Sequence, residues 1–441
     1  MPFIDIMKVK EIVYKINNTD IGRRIASGAL WSFLGISSAK AIVLLASILC
    51  AHILTKQQFG EFGMVRSTIS MFVVLGEAGL GVTATKYIAE LRKRDNERIA
   101  SIYLITTLFA ICTGVIISIF ILLFAEYISC EILNAPNLIT SIKYGAIMLF
   151  VAVINGAQLG VLSGYEAFKT IAINTLFGNL AEAFFMIVGA YYWGVPGAVL
   201  GYGIGFFVLL IANRLSIKNI FNKEGVNTYF KCIQKNDLRL LYKFSLPAAL
   251  SSMLIAPTYW IVKAILANNG GFEEVANFEV ADQWRIIILF IPSAISQIVL
   301  PILSSIAGYD KEKFWKVLLY NLLLNGILST IIALIFILLR PYIIGVFGAN
   351  YSDTTVLVYL ALSTIFSSIA NVVGLSISSR AKMWEGFAFN LVWAFNVIII
   401  SYYLIKYDYG AQGIAIAILV SYILHTIYQL IYLRIVMKKR Q

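Results

Sequence analysis

Long apolar stretches alternate with short polar connections along almost the whole chain. Each stretch reaches about 20 residues, the length that an α-helix needs to cross the hydrocarbon core of a membrane. Inside lipid, only helices and closed barrels satisfy their backbone hydrogen bonds, and stretches of this length suit helices. The pattern therefore predicts about twelve transmembrane helices. The predicted spans are 29–53, 62–85, 101–124, 141–163, 171–193, 195–215, 244–267, 285–305, 315–339, 355–378, 387–405 and 411–433.

Composition supports lipid as the solvent of this protein. Of the 441 residues, 60% are hydrophobic and only 13% are charged. A soluble domain carries about 25% charged residues, so a chain of this length with so few charges cannot cover its surface for water. The sequence is that of an all-α polytopic membrane protein.

The placement of the basic residues predicts an orientation. Nearly all Lys and Arg lie at span ends on the same side as the two chain termini, most densely in the ELRKRD stretch at 90–95. Cytoplasmic loops carry such an excess, so both termini are expected in the cytoplasm. The net charge of +12 then reflects topology and contact with anionic membrane lipids rather than nucleic acid. The opposite span ends hold only Lys56, Lys143, Arg285, Arg340 and Lys406.

The two halves of the chain form a repeat. Asn155 and Asn371 lie at the same spacing as Asn174 and Asn390, and the stretches around them align. An even number of helices in each half makes this a parallel repeat, which favours two bundles that rock about a central site. The expected segments are a cytoplasmic N-terminal segment (1–25), an N-lobe (26–220), a cytoplasmic linker (221–243), a C-lobe (244–435) and a cytoplasmic tail (436–441).

Sequence motifs for catalysis are absent. No GxxxxGK[ST] loop is present, and the four cysteines form no CxxC pair. His52 and His425 lack metal-ligand spacing, so no metal and no resident cofactor are expected. The acidic stretch 267–285 is interpreted as an outward-facing acidic surface rather than a catalytic loop, and an enzyme is disfavoured. Its acidic residues are Glu273, Glu274, Glu279 and Asp282.

Five charged residues fall inside predicted spans and more than three residues from a span end, namely Lys40, Arg66, Glu77, Glu182 and Lys263. Such residues are costly in lipid and usually face a cavity or a charged partner. One interpretation is a functional cavity; the other is a structural ion pair of Lys40 with Glu182 or Glu77. The four asparagines of the repeat are interpreted as hydrogen-bonding contacts between helices.

Three stretches resemble a known family. FGEFGMVRSTISMFVVLGEAGLGVTATKYIAELRKRD resembles the second helix of polysaccharide transporters, in particular the Wzx-type O-antigen flippases of the MOP exporter superfamily. ADQWRIIILFIPSAISQIVLPILSS resembles their eighth helix, and YIIGVFGANYSD resembles the outer loop after their ninth. The likeness extends from about residue 24 to 435.

The resemblance implies about twelve helices in two pseudo-symmetric six-helix lobes around a cavity, in the bacterial cytoplasmic membrane. It implies flipping of an undecaprenyl-pyrophosphate-linked oligosaccharide to the outer leaflet by alternating access. Lys40, Arg66 and Lys263 match the basic residues expected to line the cavity. Glu77 and Glu182 are expected to balance these charges or to take a coupling H⁺ or Na⁺.

Two alternatives remain open at this point. A cation-coupled exporter of drugs or other small molecules shares the fold, and buried carboxylates would suit it. A membrane polysaccharide polymerase is disfavoured because no large outer loop is present. If the protein is a flippase, polymerase machinery downstream is an expected partner.

Overall fold

The computed structural model describes residues 20–77, 79–92, 94–228, 253–306, 311–380 and 382–438. Several predicted features therefore lie outside the described residues. They are most of the N-terminal segment, much of the 221–243 linker, the start of the seventh span and the last residues of the tail.

From residue 20 onward, the described part of the first half forms six helices. They are α1 (Asp20–Ile53), α2 (Lys56–Glu77), α3 (Leu80–Leu91), α4 (Asn96–Tyr127), α5 (Ile139–Gly164) and α6 (Phe168–Glu224). A π-helical turn (Ile128–Ile132) and a 3-10 turn (Pro136–Leu138) connect α4 to α5.

The described part of the second half contains seven further helices. They are α7 (Ile255–Gly270), α8 (Phe272–Ile306), α9 (Lys311–Leu338), the short α10 (Arg340–Gly345), α11 (Thr355–Ser378), α12 (Met383–Lys406) and α13 (Gly410–Lys438). Within the described ranges, nine helices are long and apolar enough to cross a membrane. Counting α6 as two spans and adding α7 and α8 gives the twelve that the sequence predicts.

The second predicted span is broken in its last third. The chain turns at Gly79, whose φ of 72° and ψ of 13° place it in the left-handed region, between α2 and α3. That conformation suits glycine because a Cβ would crowd the backbone. Beyond the break, Gly81 and Gly160 bring α3 and α5 into backbone contact. Small residues permit this approach in membrane helices.

Helix α6 contains the fifth and sixth predicted spans. Its two arms meet at Gly194, where φ of 62° and ψ of −138° reverse the chain. The arms then pack face to face through glycines, with Gly189 against Gly197 and Gly201 against the backbone of Met186. Two spans with almost no loop between them are possible because this one residue makes the turn.

The predicted start of the eighth span is wrong. The structure shows that α8 begins at Phe272, well before the predicted residue 285. Charged side chains in this part lower its hydropathy, but those of Glu274, Glu279 and Asp282 have partners inside the protein. The Glu274 carboxylate, for example, accepts a hydrogen bond of 2.7 Å from the backbone N–H of Ala411. The outward-facing acidic surface is therefore a buried, partnered stretch of helix at Glu279 and Asp282.

The helices form two lobes. Helices α1 to α6 pack on one another and form the N-lobe, and α7 to α13 form the C-lobe. The main contacts between the lobes are those of α2 with α7 and α8. We call the end of the bundle where α1 begins and α13 ends the terminal end, and the opposite end the distal end.

Aromatic side chains mark the membrane boundary at the distal end. Tyr191, Tyr192 and Trp193, just before the α6 turn, are each 70% exposed. Tyr403 and Tyr407 at the end of α12 are exposed at the same end. Tyr and Trp favour the interface between lipid and water, because their rings are apolar and their tips are polar. The distal helix ends therefore lie at a membrane surface.

Candidate functional site: a charged cavity between the lobes

A cavity of about 510 Å³ lies between the two lobes. Helices α1, α2 and α6 of the N-lobe line one side, and α7 and α8 of the C-lobe line the other. Its charged lining residues are Lys40, Arg66, Glu182, Lys263, Glu279, Asp282 and Arg285. Four cations and three carboxylates leave one excess positive charge among the described lining residues.

Glu279 holds two of the predicted cations. Its Oε1 lies 2.5 Å from Lys263 Nζ, and its Oε2 lies 2.8 Å from a guanidinium nitrogen of Arg66. The Glu279 side chain is only 4% exposed, and that of Lys263 is 8% exposed. Both cations therefore share one carboxylate, which the hydropathy pattern had assigned to a segment outside the membrane.

A second ion pair lies one turn further along α8. The Arg285 guanidinium donates to Asp282 at 2.6 Å, and the same group lies 5.0 Å from the ring centre of Tyr259. This pair is formed within one helix, so it fixes the Arg285 side chain without joining the two lobes.

Lys40 has a different environment. Its Nζ lies over the ring of Phe290, 5.7 Å from the ring centre. In the described part of the chain, no carboxylate comes within the 4.0 Å of an ion pair with it. The interpretation of Lys40 as the ion-pair partner of Glu182 or Glu77 is therefore wrong. Its ammonium lines the cavity, and among the described residues its partner is the ring of Phe290.

The two predicted carboxylates lie in different parts of the N-lobe. Glu182 lies in α6, buried at the cavity wall beside Tyr202, where Gly205 on the other arm leaves room for it. Glu77 lies at the end of α2 and packs against Gly156 of α5, outside the cavity. The structure thus brings together Lys40, Arg66, Lys263 and Glu182, and leaves Glu77 aside.

Sequence reasoning missed Glu279, Asp282 and Arg285 as cavity residues. A signal was present, because their spacing of three residues places them on one face of a helix. Hydropathy did not reveal this helical spacing, because the three charges give the stretch the low hydropathy of a loop.

The asparagines of the N-lobe make the expected contacts. The Asn155 amide donates to the carbonyl oxygen of Phe206 at 2.8 Å. The Asn174 amide donates to Asn213 at 2.9 Å and to Ser216 at 3.0 Å, joining the two arms of α6. Asn371, the repeat partner of Asn155, is exposed instead.

Aromatic rings pack between the two lobes at the distal end. Phe59 of α2 packs edge-on against Phe347 and Tyr351, which follow α10 in the C-lobe. All three are almost fully buried. His52 adds a hydrogen bond of 2.9 Å to the carbonyl oxygen of Val346. We call Phe59, Phe347 and Tyr351 the distal seal.

Comparisons with known proteins agree with this architecture. The family described as "Polysaccharide biosynthesis protein" matches residues 25–307. The EPS I polysaccharide export inner membrane protein EpsE of Ralstonia nicotianae is 25% identical over 418 residues, which cover 91% of this chain and 93% of that protein. A Shigella flexneri protein named "Putative O-antigen transporter" is 20% identical over 403 residues, which cover 89% and 94%.

Solved structures show the same fold. An inward-facing multidrug resistance MATE family transporter of the MOP superfamily superimposes with a TM-score of 0.80 at 16% identity, over 92% of this chain and 98% of that one. The two-lobe, all-α fold and the resemblance to polysaccharide transporters are confirmed. The chain belongs to the polysaccharide biosynthesis protein family, and it has the fold of MOP superfamily transporters.

Proposed function

We propose that this protein is a polysaccharide exporter that flips an undecaprenyl-pyrophosphate-linked oligosaccharide from the cytoplasmic to the outer leaflet of the inner membrane. The names of its relatives, a polysaccharide export protein and an O-antigen transporter, support the class of cargo. The observation that carries the proposal is the cavity itself. It places Lys40, Arg66 and Lys263 together between two lobes whose outer faces are apolar.

The cavity suits an amphiphile with an anionic head. A pyrophosphate and its sugars cannot cross hydrocarbon, but they can pass through a polar cavity while the polyprenyl tail stays in lipid. Lysine binds phosphate as a point charge and arginine binds it through paired donors. Helices α1 and α8 meet at Phe33 and Phe290, with ring centres 5.2 Å apart. Parting these rings would open a lateral path for the tail.

The expected orientation gives the transport a direction. If the terminal end faces the cytoplasm, as the basic residues predict, the distal seal closes the cavity region from outside. This state would receive cargo from the cytoplasmic leaflet. Moving one negative charge outward from a negative interior is favoured by about 2.3 kcal/mol per 100 mV. With two charges on the pyrophosphate, a membrane potential of 100 mV would favour outward movement by about 5 kcal/mol. A polymerase that consumes the product would favour export further.

Complementation of a deletion strain tests the proposal. Cells that lack the protein should accumulate the lipid-linked oligosaccharide in the cytoplasmic leaflet and lose surface glycan, and the wild-type gene should restore both. The lipid fraction and the surface glycan are measured in the same cells. Normal surface glycan in the deletion strain, with no accumulated lipid intermediate, would contradict a flippase.

A cation-coupled exporter of small molecules is the second candidate. The carboxylates Glu182, Glu279 and Asp282 in the cavity favour it, because buried carboxylates bind cations and coupling protons. On this alternative, the deletion strain should become sensitive to cationic drugs and keep its surface glycan. The same strain therefore separates the two candidates.

A further inference from the structure

The two lobes are joined by an ion pair deep inside the molecule. Among ion pairs whose two partners both lie in the described ranges, the pair of Arg66 in α2 and Glu279 in α8 is the one that crosses from lobe to lobe. The other oxygen of Glu279 contacts Lys263 in α7, within the C-lobe. One carboxylate thus binds a cation of each lobe.

The backbone of α2 is shaped to admit this carboxylate. A Cβ on Gly63 would lie 2.6 Å from Glu279 Cγ, closer than side-chain carbon atoms approach each other. A Cβ on Gly60, one turn earlier, would collide with the backbone oxygen of Phe272. Any larger residue at either position would hold α8 away from α2. The two glycines therefore let Glu279 reach Arg66.

The contacts of Glu279 are those that a bound anion would need. A buried cation requires an anionic partner, and removing that partner leaves an uncompensated charge. Arg66 and Lys263 currently share one carboxylate, so a phosphate entering the cavity must compete with it for both. Lys40 has no carboxylate partner in the described structure and can meet the incoming anion first.

We propose that Glu279 acts as an internal anion that holds the lobes together until the anionic group of the cargo displaces it from Arg66 and Lys263. This inference rests on the proposed function for the identity of the cargo. Displacement breaks the ion pair between α2 and α8, so that binding of the cargo favours separation of the lobes at the distal end. A ligand shifts such an equilibrium only through different affinities for the two states. Competition for Arg66 supplies that difference.

The other cavity carboxylates do not fit this role. Asp282 pairs with Arg285 on its own helix, so its loss breaks no contact between lobes. Glu182 lies on the N-lobe side and forms no ion pair within 4.0 Å with a described residue. Asp282→Asn is therefore a matched control for Glu279→Gln, because it changes a carboxylate to an amide one turn away in the same cavity.

Crosslinking across the distal end measures the contact between the lobes. The Asn134 amide in the N-lobe donates to Asn268 in the C-lobe at 2.7 Å, so Asn134→Cys and Asn268→Cys place two thiols together. The full-length protein, with its native cysteines replaced, is treated with a short bifunctional thiol reagent. Without ligand, Glu279→Gln should crosslink several-fold more slowly than the parent protein, whereas Asp282→Asn should crosslink at the parent rate. Equal rates in Glu279→Gln and the parent would overturn the inference.

Ligand binding tests the competition. Undecaprenyl pyrophosphate in detergent should slow crosslinking of the parent protein, and undecaprenol, which lacks the anion, should not. Glu279→Gln should bind undecaprenyl pyrophosphate roughly tenfold more tightly than the parent, within the usual range of coupling between sites. Unchanged or weaker binding by Glu279→Gln would refute the competition.

Two further outcomes keep the test decisive. If the parent binds undecaprenyl pyrophosphate no better than undecaprenol, the proposed cargo is wrong, while the crosslinking rates without ligand still decide whether Glu279 joins the lobes.

Glu279→Gln leaves two buried cations without a partner and can impair folding. The double variant Arg66→Gln/Glu279→Gln removes the pair without an excess charge at Arg66, and it should show the same slow crosslinking.

Discussion

At the scale of single residues, Lys40 is the cation with the most unusual environment. Its partner in the described structure is the ring of Phe290, and a cation–π contact contributes only about 0.5–2 kcal/mol. The desolvation of a charge inside a membrane costs more than that. An anionic ligand in the cavity would supply the missing compensation, which makes Lys40 the best single probe of the proposed anion site.

Replacing Lys40 should therefore abolish most export. We expect Lys40→Ala to lower the initial rate of glycan export roughly 10- to 100-fold, since a hydrogen bond to a charged group contributes about 1.5–3 kcal/mol. Lys40→Arg should keep part of the activity because the charge is retained. The exposed Lys406→Ala, at the end of α12, serves as control. Surface glycan is measured in the deletion strain at matched expression, and full glycan with Lys40→Ala would remove Lys40 from the site.

The two predicted coupling carboxylates can now be compared. Glu182 lies at the cavity wall and Glu77 lies outside the cavity. If a proton is taken up within the cavity, Glu182→Gln should flatten the pH dependence of export, and Glu77→Gln should preserve it. Export into the outer leaflet of oriented vesicles is measured at a series of pH values. A wild-type profile for Glu182→Gln would show that coupling does not use this carboxylate.

The sequence could identify four of the cavity residues and not the other three. Lys40, Arg66, Glu182 and Lys263 interrupt long apolar stretches, so their cost in lipid makes them visible. Glu279 pairs with Arg66 across 213 positions of the chain. Nothing local specifies such a partner, and it emerges only when the lobes pack.

At the scale of elements, α6 depends on close backbone contact between its two arms. A Cβ on Gly201 would lie 2.2 Å from the backbone nitrogen of Met186, with no flexible side chain to move aside. In α11, by contrast, a Cβ on Gly374 would meet nothing within 4 Å. Gly201 is therefore required for close packing of the two arms, whereas no described neighbour requires a glycine at position 374.

This difference predicts opposite effects of the same substitution. Gly201→Ala should lower stability by about 1–3 kcal/mol, as overpacking does elsewhere. Gly374→Ala should leave stability unchanged or raise it by up to about 1 kcal/mol, because alanine favours the helix. Thermal unfolding of the purified protein in detergent measures both. Equal melting temperatures for the two variants would contradict the close contact between the arms.

The spans of the helices were predictable, but some of their ends were not. Hydropathy located both arms of α6, although it could not show that Gly194 alone connects them. It placed the start of α8 too late, because Glu279 and Asp282 are charged and their buried partners were unknown. Helix ends depend on such tertiary contacts, whereas the apolar middle of a span depends on lipid.

At the scale of the whole molecule, the two ends of the bundle differ in their side chains. Exposed aromatic residues such as Trp193 and Tyr407 border the distal end. The basic residues gather at the terminal end. This asymmetry supports the proposed placement of the terminal end in the cytoplasm.

Thiol labelling checks this orientation. Asn350 follows α10 at the distal end and Asn219 lies in the last turns of α6 at the terminal end, and both are exposed. In a protein without native cysteines, a membrane-impermeant reagent on spheroplasts should label Asn350→Cys and spare Asn219→Cys. Permeabilised cells should label both. The reverse pattern in intact spheroplasts would invert the assigned topology.

The distal seal has a consequence for the cell's energy supply. A cavity lined with charges between two lobes would conduct protons and salt if both of its ends opened at once. Phe59 and Phe347 place buried phenyl rings at one end, and a phenyl ring has no group that could pass a proton along. On the proposed function, these rings would let the inner membrane contain a charged cavity without discharging its ion gradients. Weakening the seal would harm the cell through electrical leakage even where the fold survives.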